Sequence, residues 1–597
     1  MLALFLTLTA LPQSTFDTLH VPAEFATIQA AVDAASPGDT VQVASGTYTE
    51  AVFVGTGDLR IVGAGVGETI LDGEGALRLL EVAADGFTLE GLTVRSGYAL
   101  MDKDEFGLEV FGGGGLWVRG NDAVVHDVRF ESCESDFESE GSALLIEGNG
   151  AQLTNSEFVE NGDGSIYYGN LITGLGAALF GDDHYVSRCW FDSNGEAFSF
   201  CLGLFVDGTG AQVEDILFTN NYGIESSSCC VVRGEGHTLD GLSFYDTNTE
   251  YLGALNCQAE NCFLSDLDVE GNIHGPVRIT GSTMLRGLSV RDLFSFYGDA
   301  GLLVVGSGGG SADQVFIQSR TTDFQVGVRL VDTTFALHDL MIADCALEAG
   351  VCADGSNVLL DGVTIADTYG WASTAAEGVS VEVLDGSEVV VTNSVLWSPQ
   401  LTTEMFVDAK SVLSFDHSLV RGATTGTNMI TAGSPGFIGG EGDVIERYSP
   451  TADSALVDAG DPSLPGLRLD LVGGVRLIDG DFDGVARVDL GAVERTETRL
   501  FVSSDTPFGQ TLRVEAPAGT FGLLLAGATP RLSPLGGWGI LAFDYERTRA
   551  VLAPLQTTPF EALVPPGGLG GYVAQGLAFN AFTAVGQVTN PLLLADD

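Results

Sequence analysis

From Leu92 to Val420 one short alternation of apolar and polar residues returns thirteen times. "HDVRFESC", "TNSEFVEN", "SRCWFDSN", "EDILFTNN", "DGLSFYDT" and "SDLDVEGN" are six of the copies. A first apolar or small position runs through Leu92, Val128, Ser156, Cys189, Ile216, Leu242, Leu267 and Leu288, then Val315, Leu340, Val363, Ser394 and Ser418. Two residues later stand Val94, Phe130, Phe158, Phe191, Phe218 and Phe244, then Val269, Val290, Ile317, Ile342, Ile365, Leu396 and Val420. Alternation of this kind predicts a strand with both tracked positions on one face. Its return at intervals of 21 to 36 residues predicts a solenoid in which each coil stacks on the last. At about 4.8 Å per rung the ladder would be roughly 60 Å long, with the phenylalanines stacked inside. Three residues past the second tracked position stand Asn161, Asn194, Asn221 and Asn272. Asparagine tolerates left-handed backbone and hydrogen-bonds along a stack, so this slot reads as a turn. Cys133 and Cys345 take the slot in other coils, while Cys189 falls in the inward slot as a small hydrophobe.

Before the ladder, "ATIQAAVDAASPGDTVQVASGTYTE" (26–50) passes from a helical period into strand alternation. Ile28, Ala31, Val32 and Ala35 make one apolar stripe. The stretch "VPAEFATIQAAVDAASPGDTVQVASGTYTE" resembles the opening of right-handed parallel β-helix proteins of the pectin-lyase-like superfamily, and "GGGGLWVRGNDAVVHDVRFESC" resembles one of their coils. The resemblance spans roughly Val21 to Glu494. It implies an all-β fold: a right-handed parallel β-helix whose N-terminal end is capped by the first helix. "SALVDAGDPSLPGLRLDLVGGVRLIDGDFDGVARVDLGAVER" (454–495) resembles the closing segment of secreted β-helix proteins of unassigned role. Beyond Thr496, alternating stretches such as "TLRVEA" and "FGLLLAGA" are separated by proline and glycine and predict a small antiparallel β-sandwich. The expected organisation is therefore a signal peptide (1–14), a β-helix (15–440), a closing segment (441–495) and a β-sandwich domain (496–597).

Composition narrows the functional classes. Acidic residues outnumber basic ones 81 to 25, a formal net charge of −56, and the only lysines are Lys103 and Lys410. Such a surface repels nucleic acid and anionic membranes, and attracts divalent cations. The apolar run "MLALFLTLTALPQS" resembles a secretory signal peptide without its basic n-region. No later run of about 20 apolar residues predicts a membrane span. The expected protein is thus secreted or extracellular, on or near the cell surface, and monomeric. Export would permit disulfides, with Cys257–Cys262 and Cys345–Cys352 the nearest non-adjacent pairs among nine cysteines.

Three places offer chemistry. If Val128 and Phe130 point inward, Asp127 and Arg129 point outward, followed on the next rungs by Asn155 and Glu157, Arg188 and Trp190, and Asp215 and Leu217. Asp127, Arg129, Glu157, Arg188, Trp190 and Asp215 would form a ligand groove. Glu157 and Asp215, two rungs or about 9.5 Å apart, are the candidate catalytic pair, near the upper separation for an inverting glycosidase. The same residues also suit plain cross-strand ion pairs, Arg129 with Glu157 and Arg188 with Asp215. The sequence lacks "NTD", "DD" followed by "GHG", and "RxK", motifs the superfamily's well-known enzymes would suggest; His126, His237 and His274 stand outside any such motif. The acidic runs "MDKDEFGLE" and "ESCESDFESE" read as solvated loops or a calcium lip. Asp479, Asp481, Asp483 and Gly484 match the start of a D-x-D-x-D-G calcium loop, but position twelve is Leu490 where such a loop needs glutamate.

A long solenoid, an appended β-domain and no complete catalytic motif predict a non-catalytic scaffold that binds polysaccharide or another surface component, with calcium as the one expected cofactor. The alternatives are a carbohydrate-active enzyme, lyase or hydrolase, working in the surface groove, and a purely structural spacer.

Overall fold

The computed structural model describes residues 16–99, 102–103, 109–110, 113–135, 143–162, 176–195, 201–271, 277–292, 300–306, 308–319, 326–369, 378–423, 425–462, 468–474, 476–477 and 487–495, and beyond 495 the backbone of a set of strands. The expected signal peptide, His274, Asn272 and the Asp479, Asp481 and Asp483 loop lie outside the described residues. The chain forms two compact units, Met1–Thr238 with Thr247–Glu250, and Leu239–Asp246 with Tyr251–Asp597.

The first unit begins with the strand Thr18–Val21, which pairs in parallel with Thr40–Val43. Between them lies the helix Ile28–Ala34, with Ile28, Ala31 and Val32 buried. Thr27 caps it by accepting from the Ala30 amide at 3.2 Å. The Glu50 carboxylate takes the Ile28 and Gln29 amides at 2.9 and 3.0 Å. Anion and cap together satisfy donors that a helix start leaves open. The apolar stripe packs on the first strands, as expected for a cap.

Above it the ladder has the expected register. Leu92 pairs with Val128, and Val94 with Phe130. Phe130 pairs with Phe158, Phe158 with Phe191, and Phe191 with Phe218. The rings stack at centroid separations of 5.0, 4.6 and 5.1 Å and are fully buried. A 4.8 Å rung spacing brings like rings to stacking distance at each coil. Beside them Asn161, Asn194 and Asn221 are buried and linked side chain to side chain. Cys133 takes the expected slot, its amide donating to Asn161 Oδ1 at 2.9 Å.

In the second unit Leu267 pairs with Leu288, Leu288 with Val315, and Val315 with Leu340. The companion row runs Val269, Val290, Ile317, Ile342, Ile365, Leu396 and Val420, each paired with the next. At the asparagine slot here the Thr368 amide donates to Ser398 Oγ at 3.2 Å, and at a separate turn the Ser356 amide donates to Ser387 Oγ at 2.9 Å. The Cys345 and Cys352 thiols are free and buried, so the disulfide considered between them is absent.

One expectation fails at the residue before each first tracked position. Asp127, Asn155, Arg188 and Asp215 have φ of 53°, 51°, 52° and 55°. In the second unit the same place holds Gly241, Asp266, Gly287, Gln314, Asp339, Gly362, Asn393 and His417, all with positive φ. This column is a left-handed bend at which the in-and-out alternation shifts by one residue; the strand Val124–Glu131 runs across it, whereas Gln152–Thr154 and Glu157–Val159 meet at it. Aspartate, asparagine and glycine dominate it because they bear left-handed backbone most cheaply.

The closing segment docks on the ladder through buried charge. Arg476 lies 3.0 Å from Asp339 and 3.4 Å from Glu494, and Arg468 donates to Asp361 at 2.6 Å. Gly362 makes room: a Cβ there would stand 2.3 Å from Arg476 Nη2 and 2.7 Å from Asp339 Oδ1. Asp470 accepts the Gly474 and Glu494 amides. Asp489 accepts the Asp458 and Arg495 amides. Burial outweighs the arginines and pushes Asp339 up to about 7, and burial likewise pushes Asp489 up to about 7 against its amide hydrogen bonds. Glu494 is pushed well above the carboxylate range by burial, reinforced by neighbouring Asp489.

Beyond 495 the strands pair antiparallel, Arg499–Thr506 with Gly509–Glu515 and Gly509–Glu515 with Phe560–Val564. A second sheet joins Phe521–Gly527 to Ala550–Thr557 and Val573–Asn580.

Candidate functional site

The outward positions after the bend form two parallel rows in the first unit. Thr93, Arg129, Glu157, Trp190 and Leu217 follow one another in register. Beside them run Asp72, Arg95, Glu131, Val159, Asp192 and Thr219. The inward Phe column lies directly between these two rows along each strand, so its packing fixes the rungs that present them.

Arg129 is the centre of the charged part. Its Nε lies 3.5 Å from Glu131 Oε2 and 3.6 Å from Glu157 Oε2, so these two oxygens stand within about 7 Å of each other. Neither contact is a hydrogen bond, and Arg129 Nε is without one. One rung beyond Glu157, Trp190 is 36% exposed. Its indole N–H donates to Thr219 Oγ1 at 2.8 Å, and that hydroxyl donates to Asp192 Oδ1 at 2.5 Å. Asn220 donates to the same Asp192 oxygen at 2.8 Å. These hydrogen bonds anchor the ring by its polar edge and leave part of its apolar surface exposed. At the other end, Arg95 donates to Asp72 through Nη2 at 2.5 Å and Nε at 3.1 Å. Partial burial disfavours the Asp72 carboxylate, yet the Arg95 hydrogen bond prevails and holds it below its ordinary range.

The structure thus brings together three of the six groove residues expected from sequence: Arg129, Glu157 and Trp190. Asp127, Arg188 and Asp215 stand in the bend column itself, outside the two rows. The position two rungs from Glu157 in register is Leu217, not Asp215. The expected Glu157–Asp215 pairing across one flat face is therefore corrected. Arg188 also leaves its expected partner, donating through Nε to Asn155 Oδ1 at 2.7 Å. The carboxylate that does accompany Glu157 is Glu131, which sequence reasoning had placed in an acidic loop. The signal was present: Glu131 follows the inward Phe130 by one residue and shares the parity of Arg129.

His237 and His126 have structural partners. The Ala211 amide donates to His237 Nδ1 at 3.1 Å, and burial lowers the pKa of that ring. His126 Nδ1 lies 2.8 Å from Thr154 Oγ1. Of the acidic runs, Glu131 belongs to the row just described. Asp102–Lys103 and Glu109–Val110 pair as short antiparallel strands, while Asp104, Glu105, Asp136, Glu138 and Glu140 lie outside the described residues. No helix among the described residues is long and apolar enough to cross a membrane.

No family model and no curated protein matches the chain. Solved structures do. An alginate lyase, AlyF-OU02, matches at 12% identity over 66% of this chain and 88% of its own, with a TM-score of 0.35. A mannuronic acid specific polysaccharide family 6 lyase from human gut microbiota matches at 12% identity over 67% and 91%, with a TM-score of 0.30. The mannuronan C-5 epimerase A-module of Azotobacter vinelandii matches at 11% identity over 66% and 94%, with a TM-score of 0.25. At this distance the likeness concerns the fold alone, a right-handed parallel β-helix. The expectation of a non-catalytic scaffold is withdrawn: the matching structures named are described as polysaccharide lyases and an epimerase, and an activity for this chain is a matter of proposal.

Proposed function

We propose that the protein is a carbohydrate-active enzyme, a polysaccharide lyase or glycoside hydrolase, acting on the outer face of the coil around Arg129. The observation that carries this reading is one guanidinium held between Glu131 and Glu157 at 3.5 and 3.6 Å, with the exposed Trp190 one rung beyond Glu157. A saccharide ring laid on Trp190 would bring its linkage over Glu157. Two carboxylates within about 7 Å suit the acid and base of glycoside hydrolysis. In a uronate polymer the same arginine would neutralise the sugar carboxylate, and a glutamate would take the adjacent carbon-bound proton. The strong negative charge of the chain favours neutral polymers, or acidic ones bridged by a divalent cation.

The test is product release from a panel of neutral and acidic polysaccharides, with and without calcium. Unsaturated products that absorb in the ultraviolet identify elimination, and new saturated reducing ends identify hydrolysis. Glu157→Gln should lower kcat about 100-fold or more, the usual scale for a lost proton-transfer group. Undiminished turnover in both Glu157→Gln and Glu131→Gln would sink the assignment.

The same proposal includes polysaccharide as the partner, a secreted monomer, the four-part organisation with its boundaries at 14, 440 and 495, and the antiparallel strands beyond 495 assembling as a β-sandwich. Calcium at Asp479, Asp481 and Asp483 belongs with it, as a structural ion in the closing segment rather than a reagent.

A further inference from the structure

At the last rung of the ladder, Asp416, His417 and Asp461 bring two carboxylate oxygens and one imidazole nitrogen within 4.8 Å of one another. Asp416 ends the strand Val412–Asp416, and Asp461 comes from the closing segment. All three are half-buried. We infer that they form a binding site for a borderline divalent cation of the zinc type, which clips the closing segment onto the final coil.

Each donor is positioned by a contact of its own. The Asp461 amide donates to Asn393 Oδ1 at 2.7 Å, fixing a loop residue to a rung 68 positions earlier. Asp416 Oδ1 accepts from Asn428 Nδ2 at 3.1 Å and from the His417 amide at 3.0 Å. Ligand carboxylates in metal sites are oriented by outer hydrogen bonds of this kind. His417 Nδ1 stands 3.0 Å from Asp416 Oδ1, so the imidazole faces the carboxylates.

His417 also occupies the bend column, with φ 39°. The other described members of that column in the second unit are glycine, aspartate, asparagine and glutamine. Imidazole appears there at the last rung, where the Asp461 carboxylate approaches. Donors sharing an ion at about 2.0–2.2 Å would stand roughly 3–4 Å apart, so small side-chain rotations close the site. A nitrogen ligand beside two carboxylates selects a borderline cation over calcium, which takes oxygen ligands. Because Asp416 and Asp461 lie on separate segments, a bound ion would add a cross-link that the unfolded chain lacks. The inference is independent of the enzymatic reading, since these residues lie in the second unit and Arg129 in the first.

The test uses the full chain freed of metal by a chelator, titrated calorimetrically with zinc and, separately, with calcium. His417→Asn is the informative variant, because asparagine keeps the left-handed backbone and removes only the imidazole. Asp461→Asn removes a charge from the other side. The expected result is saturable binding of one zinc that raises the Tm, weakened at least tenfold in each variant. Zinc binding that is absent, or equal in wild type and both variants, overturns the site. Calcium binding abolished by Asp461→Asn but untouched by His417→Asn overturns the imidazole's part in it. If His417→Asn fails to fold, the zinc affinity of Asp461→Asn decides alone.

Discussion

Asn161 donates both its backbone amide and its side-chain amide to Oδ1 of Asn194, at 3.0 Å each. Asn194 repeats the act on Asn221 at 3.0 and 3.1 Å. Each side-chain amide also reaches back to a carbonyl of the Phe stack, Asn194 to Phe158 at 2.8 Å and Asn221 to Phe191 at 2.8 Å. The turn and the aromatic core are thus tied together across these coils. Asn194→Ala would strand the Asn161 amide and the Phe158 carbonyl, buried groups costing about 1–3 kcal/mol each when unsatisfied. A loss of roughly 2–4 kcal/mol in chemical denaturation is expected. A loss below about 0.5 kcal/mol, the level of an ordinary surface change, would mean that water or neighbouring groups replace the ladder.

Asp339 gives the closing segment a pH dependence. It faces Arg476 and Arg468 together with Asp361 and Asp470, and burial raises its pKa from 3.8 to about 7. In the unfolded chain it ionises near pH 4. Between these values the folded state holds the extra proton, so this contribution is complete below about pH 4 and is lost as pH rises towards 7. Asp489, raised to about 7, acts in the same direction. Asparagine mimics the protonated form, so Asp339→Asn should gain stability relative to wild type as pH climbs from 4 to 7. Thermal melts across that range read the gap, and a gap that stays constant would show Asp339 ionised throughout.

The bend column makes Asp215 a conformational residue. At φ 55° it needs a side chain that tolerates left-handed backbone. Asp215→Asn should change stability by less than about 0.5 kcal/mol and leave polysaccharide turnover intact. Asp215→Val should cost about 1–2 kcal/mol, the penalty of left-handed backbone with a crowded Cβ. Lost turnover in a fully folded Asp215→Asn protein would return that carboxylate to the site.

Trp190 depends on Thr219 for its orientation. Thr219→Val keeps the shape and removes the hydroxyl between the indole and Asp192. A net hydrogen bond of about 1 kcal/mol translates into a KM raised roughly fivefold with kcat little changed. Steady-state kinetics separate the two, and a fall in kcat alone would place Trp190 outside substrate binding.

Much of the coil was legible because its physics is local and repeated. A period-two pattern that returns with each coil allows one stacking register, and Val94, Phe130, Phe158, Phe191 and Phe218 occupy it as read. The cap was legible for the same reason, since Ile28, Ala31 and Val32 form a helical stripe that must be covered. The face around Arg129 was only half legible. Arg129, Glu157 and Trp190 follow from parity, but Asp127, Arg188 and Asp215 were misplaced because a left-handed bend interrupts the alternation without changing its apolar pattern.

The sequence by itself determined the solenoid, its inward residues and its capping helix, because burying an apolar face leaves few alternatives. Only the tertiary structure decided which charges meet. Glu131 joins Glu157 across Arg129, Arg476 finds Asp339, and Asp461 arrives beside His417 through backbone geometry and long-range docking. Charged side chains carry no periodic signature, and their partners lie one or several coils away, so their meeting is fixed by the fold rather than by spacing along the chain.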